Sequence, residues 1–311
     1  MILQIVLLFV GLALIVFGAD WLVDGSSAIA RKAGISEFVI GLTIVGFGTS
    51  CPELVVSLTG AIQGNADISV GNVVGSNVFN TLLILGLTAV IAPVAVTRSN
   101  SRRDIPIALL VTFLFAAFAL TGQKIAFWEG VAFLLVFVGY MIYSFKSDKG
   151  AEEVVEEKIK SLWLAILLVI GGLAGLVFGG QLFVNNATAI ARALGVSDKF
   201  IAITLLAGGT SFPELATCIV AAAKKKDQLA LGNILGSNVF NILLILGASA
   251  LIIPISTFAL TWVDLGVLLL SAILVWLWTY TGHRNRIDRW EAIVMLLLFF
   301  GYFTWLFVNA K

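Results

Sequence analysis

The sequence "GTSCPEL" at 48–54 returns as "GTSFPEL" at 209–215, and "GNVVGSNVFNTLLILG" at 71–86 returns as "GNILGSNVFNILLILG" at 232–247, with 13 of 16 positions identical in the second pair. The same offset of 161 residues relates "AIAR" at 28–31 to "AIAR" at 189–192, and the register runs from Gly18/Gly179 to Gly86/Gly247 without a gap. Apolar segments resemble one another by chance, but chance does not keep Thr, Ser, Pro, Glu and Asn in step. The chain is a duplication.

The duplicated unit has the composition of membrane protein. Of 311 residues, 60% are hydrophobic and only 12% charged, with a mean hydropathy of +1.06. A soluble fold carries about 25% charged residues. This balance excludes a disordered chain, a disulfide scaffold and a nucleic-acid binder, and a net charge of +1 courts no polyanion. Cys51 and Cys218 lie in apolar stretches and read as buried thiols rather than a bridge. One histidine, His283, leaves little room for zinc or haem chemistry.

A helix needs about 20 apolar residues to cross the hydrocarbon. Ten such stretches can be marked, at roughly 2–24, 38–62, 70–92, 105–122, 126–145, 161–189, 200–223, 230–254, 260–281 and 289–308. They do not alternate as barrel strands would. The first has no basic residues before it and is followed by Asp20 and Asp24, so it reads as a retained helix rather than a signal peptide. Basic residues fix the orientation. Fifteen of the 19 Lys and Arg fall in connections on one side of a ten-span chain and four on the other. The basic side is cytoplasmic, so both termini lie outside.

Five spans per half is an odd number, so the second half must enter the membrane from the opposite face, the inverted repeat common in secondary transporters. The expected fold is an all-α membrane protein of ten transmembrane helices. Residues 1–145 form the first five-helix half, 146–160 a charged cytoplasmic linker and 161–311 the inverted second half.

Two acids stand mid-span, Glu53 in the second helix and Glu214 in the seventh. An intramembrane acid costs about 2.5–3.5 kcal/mol even on a lenient insertion scale. No Lys or Arg lies within the core of any span, so a mobile cation is the natural partner. Thr49 and Thr210 precede these acids by four residues and share their helix faces; Ser50 and Ser211 precede them by three. Ser76 with Asn80, and Ser237 with Asn241, form further pairs on the third and eighth helices. Every one offers oxygen, which Ca²⁺ and Na⁺ prefer. The bland alternative for each hydroxyl is a bond to its own helix, and for each Asn a helix–helix bond. Pro52 and Pro213 crowd the carbonyls four residues back, at Gly48 and Gly209. With Gly46 and Gly208 nearby, helices 2 and 7 should break at mid-membrane. Two carboxylates balance one divalent or two monovalent ions. The same site could therefore be emptied of Ca²⁺ by filling it with Na⁺. No thiol or imidazole is repeated, which disfavours soft metals.

At "GLTIVGFGTSCPELVVSL", "GNVVGSNVFN", "AITLLAGGTSFPELATCIV" and "GNILGSNVFN" the chain resembles the two alpha-repeats of the calcium:cation antiporters, and most closely the sodium/calcium exchanger branch. The resemblance implies a prokaryotic-type exchanger in which Glu53 and Glu214 are the central calcium ligands, shared with sodium. It implies Thr49, Ser50, Thr210, Ser211, Ser76 and Ser237 as further ligands, the carbonyls of Gly46 and Ala207 as backbone ligands, and Asn80 and Asn241 lining the centre. Some relatives, including potassium-dependent ones, carry Asp where this chain has Asn241, which argues against potassium co-transport. The linker at 146–160 is too short for the regulatory insert of eukaryotic exchangers.

The expected activity is secondary active antiport of Na⁺ against Ca²⁺ by alternating access, an electrogenic calcium extrusion across the plasma membrane. It needs no cofactor, no nucleic acid and no obligate protein partner beyond the bilayer, and it is not an enzyme. The Gly-rich first and sixth helices (Gly11, Gly18; Gly171, Gly172, Gly175, Gly179, Gly180) are expected to slide over a more static core, or else to pack tightly against neighbours. The rivals are a proton/calcium or potassium-dependent exchanger of the same superfamily, a cation channel, and an intramembrane hydrolase. The last lacks any nucleophile–base pair.

Overall fold

The computed structural model describes residues 1–122, 124–148, 161–195, 207–258, 260–281 and 285–309. Linker residues 149–160, the start of the seventh span at 200–206, and His283 fall outside that set. The chain is helical almost throughout. We number the helices α1 (Ile2–Ala33), α2 (Glu37–Thr49), α3 (Cys51–Ile62), α4 (Asp67–Ile91), α5 (Asn100–Gly122), α6 (Phe127–Lys146), α7 (Leu162–Ala193), α8 (Phe212–Ala223), α9 (Asp227–Ile252), α10 (Trp262–Trp278) and α11 (Arg289–Asn309). Among the described residues seven helices are long and apolar enough to cross a bilayer, and an eighth span results if α2 and α3 are counted as one bent helix. The chain is therefore an integral, multi-pass membrane protein.

Local chemistry sets the helix ends. Gly34 adopts a left-handed φ of 67° and stops α1, its N–H reaching back to the Ala30 and Arg31 carbonyls. Ser36 and Ser161 cap the starts of α2 and α7, each accepting a backbone N–H at 3.2 Å. Thr261 and Asp264 form a reciprocal box at the start of α10. α1 carries Asp20 and Asp24 within it and runs past the expected end of its apolar stretch, at about residue 24, to Ala33. Charge alone does not end a helix. Arg31 and Lys32 thus sit in its last turn, where they complement the helix dipole, and not in a loop.

Burial sorts the helices into a centre and a shell. In the most apolar windows, 67% of α4 and 78% of α9 is buried, against 22–39% in α1, α5, α6, α7 and α11. The polar repeats therefore lie in the middle, and the smooth apolar faces look outward. α1 and α7 run antiparallel in backbone contact. A Cβ added to Gly18 would lie 2.8 Å from the Gly172 carbonyl, and one added to Gly172 would lie 2.7 Å from the Gly18 carbonyl. Gly11 and Gly179 are reciprocal in the same way, each at 2.9 Å. Two short antiparallel ladders tie the connections: β1 (Val94–Ala95) pairs β4 (Arg286–Ile287), and β2 (Lys124–Ile125) pairs β3 (Ile255–Ser256).

Candidate functional site

The centre is built on two breaks. α2 and α3 meet at Ser50, bent by 48°. The break falls two residues before Pro52, which sits in the first turn of α3, where its missing N–H leaves no gap. The Ser50 N–H still bonds the Gly46 carbonyl at 3.1 Å. In the second half, Thr210 and Ser211 separate the short turn Ala207–Gly209 from α8, and Pro213 occupies the same first-turn place. Glu53 and Glu214 thus stand in the first turns of α3 and α8. A helix N-terminus favours negative charge.

Both carboxylates are fully buried. Neither makes an ion pair among the described residues. Instead the halves exchange hydroxyls. Ser50 Oγ donates to Glu214 Oε1 at 3.0 Å, and Ser211 Oγ donates to Glu53 Oε1 at 3.0 Å. Ser76 Oγ lies 3.5 Å from Glu53 Oε1 and 3.4 Å from Ser211 Oγ. The second oxygens, Glu53 Oε2 and Glu214 Oε2, are buried without a hydrogen-bond partner.

The asparagines of α4 and α9 repeat this pattern. Each helix loosens into a π turn, Phe79–Ile84 and Phe240–Leu246, at equivalent places in the duplication. Such turns recur at functional sites. Asn80 donates to Asn238 Oδ1 at 3.2 Å, and Asn241 donates to Asn77 Oδ1 at 2.9 Å. The carbonyl oxygens of Asn80 and Asn241 are left buried and unpartnered. Four orphan acceptors therefore come in two pairs, one member from each half. None can donate a proton while the carboxylates are ionised. A buried acceptor left unsatisfied costs about 1–3 kcal/mol, and more if charged.

The remaining expected residues are arranged less evenly. Thr49 Oγ1 back-bonds toward the Val45 carbonyl at 3.1 Å and equally reaches Asn233 Oδ1 at 3.1 Å. Ser237 Oγ lies 3.4 Å from the Gly46 carbonyl, so that carbonyl already serves several donors. Thr210 Oγ1 is buried, unpartnered and close to Glu53. Ala207 opens the short turn before the second break. Four asparagines were not singled out from sequence. Asn72 donates to the Glu53 carbonyl at 3.2 Å and to Ser57 Oγ at 3.0 Å. Its counterpart Asn233 receives Thr49 and donates to Cys218 Sγ at 3.3 Å. Asn77 and Asn238 hold the central amides. All four stand within the duplicated "GNVVGSNVFN" and "GNILGSNVFN" segments, so the signal was present. Cys51 and Cys218 are free thiols.

Paired acids sealed in the interior of a helical membrane protein, with no ion-pair partner among the described residues, make a centre suited to a mobile cation. The particular kind is given by relatives. The family model for the sodium/calcium exchanger protein matches residues 3–146 and 164–308, and the chain belongs to that family. It is 32% identical to the sodium/calcium exchanger MaX1 of Methanosarcina acetivorans, over 97% of each chain. It is 35% identical to the inner membrane protein YrbG of Escherichia coli, over 98% of this chain and 96% of that one. A solved structure of the sodium-calcium exchanger NCX_Mj, soaked without Na⁺ or Ca²⁺, superposes with a TM-score of 0.87 at 34% identity, covering 98% and 99% of the two chains. The family is one of cation antiporters.

Proposed function

We propose that this chain exchanges Na⁺ for Ca²⁺ by alternating access, with Glu53 and Glu214 as the shared ion ligands. One observation carries the reading: Glu53 Oε2, Glu214 Oε2, Asn80 Oδ1 and Asn241 Oδ1 are buried acceptors without donors. A hard cation is the partner such a set lacks. Thr49, Ser50, Thr210, Ser211, Ser76 and Ser237 add hydroxyl oxygens, and the carbonyls of Gly46 and Ala207 add backbone ones. Ser50 and Ser211 can serve twice, because a hydroxyl donating its proton to a carboxylate keeps lone pairs for a metal.

Charge then sets the exchange. Two carboxylates neutralise one Ca²⁺ or two Na⁺. Ions compete for one centre, which is the condition for counter-transport. Exchange of more than two Na⁺ for each Ca²⁺ would carry net positive charge inward, so that an interior-negative potential would drive calcium out. The ten-span reading, in two inverted halves at 1–145 and 161–311 joined by the 146–160 linker, is supported by the reciprocal glycines of α1 and α7 and the reciprocal serine–carboxylate bonds. α1 and α7 are in backbone contact with each other, so they are suited to slide as one unit over the core. Both termini lie outside the plasma membrane in this reading.

The test is sodium-gradient-driven uptake of radiolabelled calcium in proteoliposomes. Sodium alone should support uptake, an imposed potential should change its rate, and adding potassium should not. Uptake driven by a proton gradient and indifferent to sodium would replace this reading with proton/calcium exchange. Downhill calcium flux without counter-ion would make the protein a channel.

A further inference from the structure

The central amides face a difficulty that the carboxylates do not. A carboxylate offers oxygen whichever way it turns. A carboxamide turned over offers two N–H donors and repels a cation. Something must fix which end of Asn80 and Asn241 is turned toward the ion.

The bonds around Asn77 supply a chain of constraint. The Asn238 backbone carbonyl can only accept, so Asn77, which reaches it at 3.2 Å, must place Nδ2 there. Asn77 Oδ1 then lies on the other side of the amide, where it accepts from Asn241 Nδ2 at 2.9 Å. Asn241 is left with Oδ1 turned away from that bond, buried and unpartnered. In the opposite half Asn238 Nδ2 donates to Thr81 Oγ1 at 2.8 Å, and Asn238 Oδ1 accepts from Asn80 Nδ2 at 3.2 Å. Asn80 Oδ1 is again the free end. The two anchors differ in kind. A backbone carbonyl cannot reverse its role, whereas a threonine hydroxyl can donate or accept.

We propose that Asn77 and Asn238 are positioning residues, locking the Asn241 and Asn80 carboxamides with oxygen toward the ion, and that Asn77 holds the stricter lock. The inference rests on the cation-site reading above. It assigns these two side chains no contact with the ion. Their effect passes through the amides they hold.

The experiment compares half-saturating calcium with maximal rate in the same proteoliposome assay, and calcium binding to the purified full-length protein. Asn77→Ala should raise half-saturating calcium about tenfold, the worth of one well-made bond, with maximal rate within about twofold. Asn238→Ala should do less. In an Asn241→Asp background, Asn77→Ala should change half-saturation by less than about twofold, because a carboxylate has no wrong end; residues acting through one another are non-additive in this way. An unchanged half-saturation, an equal rise in both backgrounds, or a fall in maximal rate alone would overturn the proposal. If Asn77→Ala does not reach the membrane, Asn77→Leu, close in volume but with neither donor nor acceptor, takes its place. The same rise of about tenfold is expected there, and an unchanged half-saturation overturns the lock. Glu53→Gln is measured alongside. If it still binds calcium, the site reading itself fails; if it loses binding while Asn77→Ala is unaltered, only the lock fails.

Discussion

Glu53 and Glu214 differ from ordinary buried acids in what surrounds them. Each receives one serine proton from the opposite half and keeps one oxygen bare. Replacing either by Gln removes a charge and turns a bare acceptor into a donor, and on the proposed cation-site reading it breaks a buried carboxylate–cation pair, at about 3–5 kcal/mol of binding. Glu53→Gln and Glu214→Gln should each reduce sodium-driven calcium uptake at least about 100-fold. Because the carboxylates support no structural ion pair, the variants should still elute as folded, monodisperse protein. Near-normal uptake in either would remove the acid from the ion path. The serines give a finer measure. Ser50→Ala and Ser211→Ala break equivalent 3.0 Å bonds to charged acceptors, each worth about 1.5–3 kcal/mol. Their effects on half-saturating calcium should agree within about threefold, and a large disparity would mean that the halves do not contribute alike.

Between elements, the contact of α1 with α7 is the closest large interface in the shell. It relies on glycine at reciprocal places, where any side chain would meet carbonyl and amide atoms of the facing backbone. Gly172→Val and Gly18→Val should each force the helices apart and cost about 1–3 kcal/mol, typical of overpacking. Gly139 in α6 is exposed, with nothing within 4 Å of a built Cβ, so Gly139→Ala should be neutral or slightly stabilising. Thermal unfolding in detergent separates the two cases. Within α1 a different tie holds. Lys224, just beyond α8, meets Asp20 at 2.6 Å and Asp24 at 2.8 Å. Partial burial pulls its pKa down, but the bonds to the two aspartates outweigh that and leave it above the ordinary lysine value. A raised lysine pKa contributes stability below the unfolded value that is lost as pH rises through the folded one. The groups are partly exposed, so the tie is weak. The small difference in unfolding temperature between the parent and Lys224→Met should therefore be constant from neutral pH to about 10 and shrink above it. A difference that instead vanished on acidification toward pH 6 would place its origin elsewhere.

Over the whole molecule, sequence and structure agree where the physics is repetitive. Apolar length located the helices, and the 161-residue offset located Glu53, Ser50, Asn80 and their partners, because each half must satisfy the same burial with the same residues. Two kinds of feature were not legible. α1 runs on past its apolar stretch to Ala33, where Gly34 ends it, and the tie from Lys224 to Asp24 joins residues 200 positions apart, which no local pattern encodes. The roles of Asn77 and Asn238 depend on which amide end meets which acceptor, which spacing does not carry. The ladders bear on the arrangement that sequence proposed from its charges. β1–β4 ties the connection after α4 to the one before α11, and β2–β3 ties the connection before α6 to the one after α9. Paired backbones lie together, so each ladder's two connections must share a face of the membrane. In the ten-span reading the first pair is cytoplasmic and the second external, as the fifteen-to-four division of basic residues requires. With Cys51 and Cys218 replaced, single cysteines at the exposed positions Ser99 and Thr281 should react with an impermeant thiol reagent only from the cytoplasmic face. Cysteines at exposed Lys124 and Phe258 should react only from outside. Were Ser99 and Thr281 to label from opposite faces, the ladder would be wrong. Were all four to label from one face, an odd number of spans would have been miscounted between them, and with it the inversion that brings Glu53 and Glu214 to a common centre.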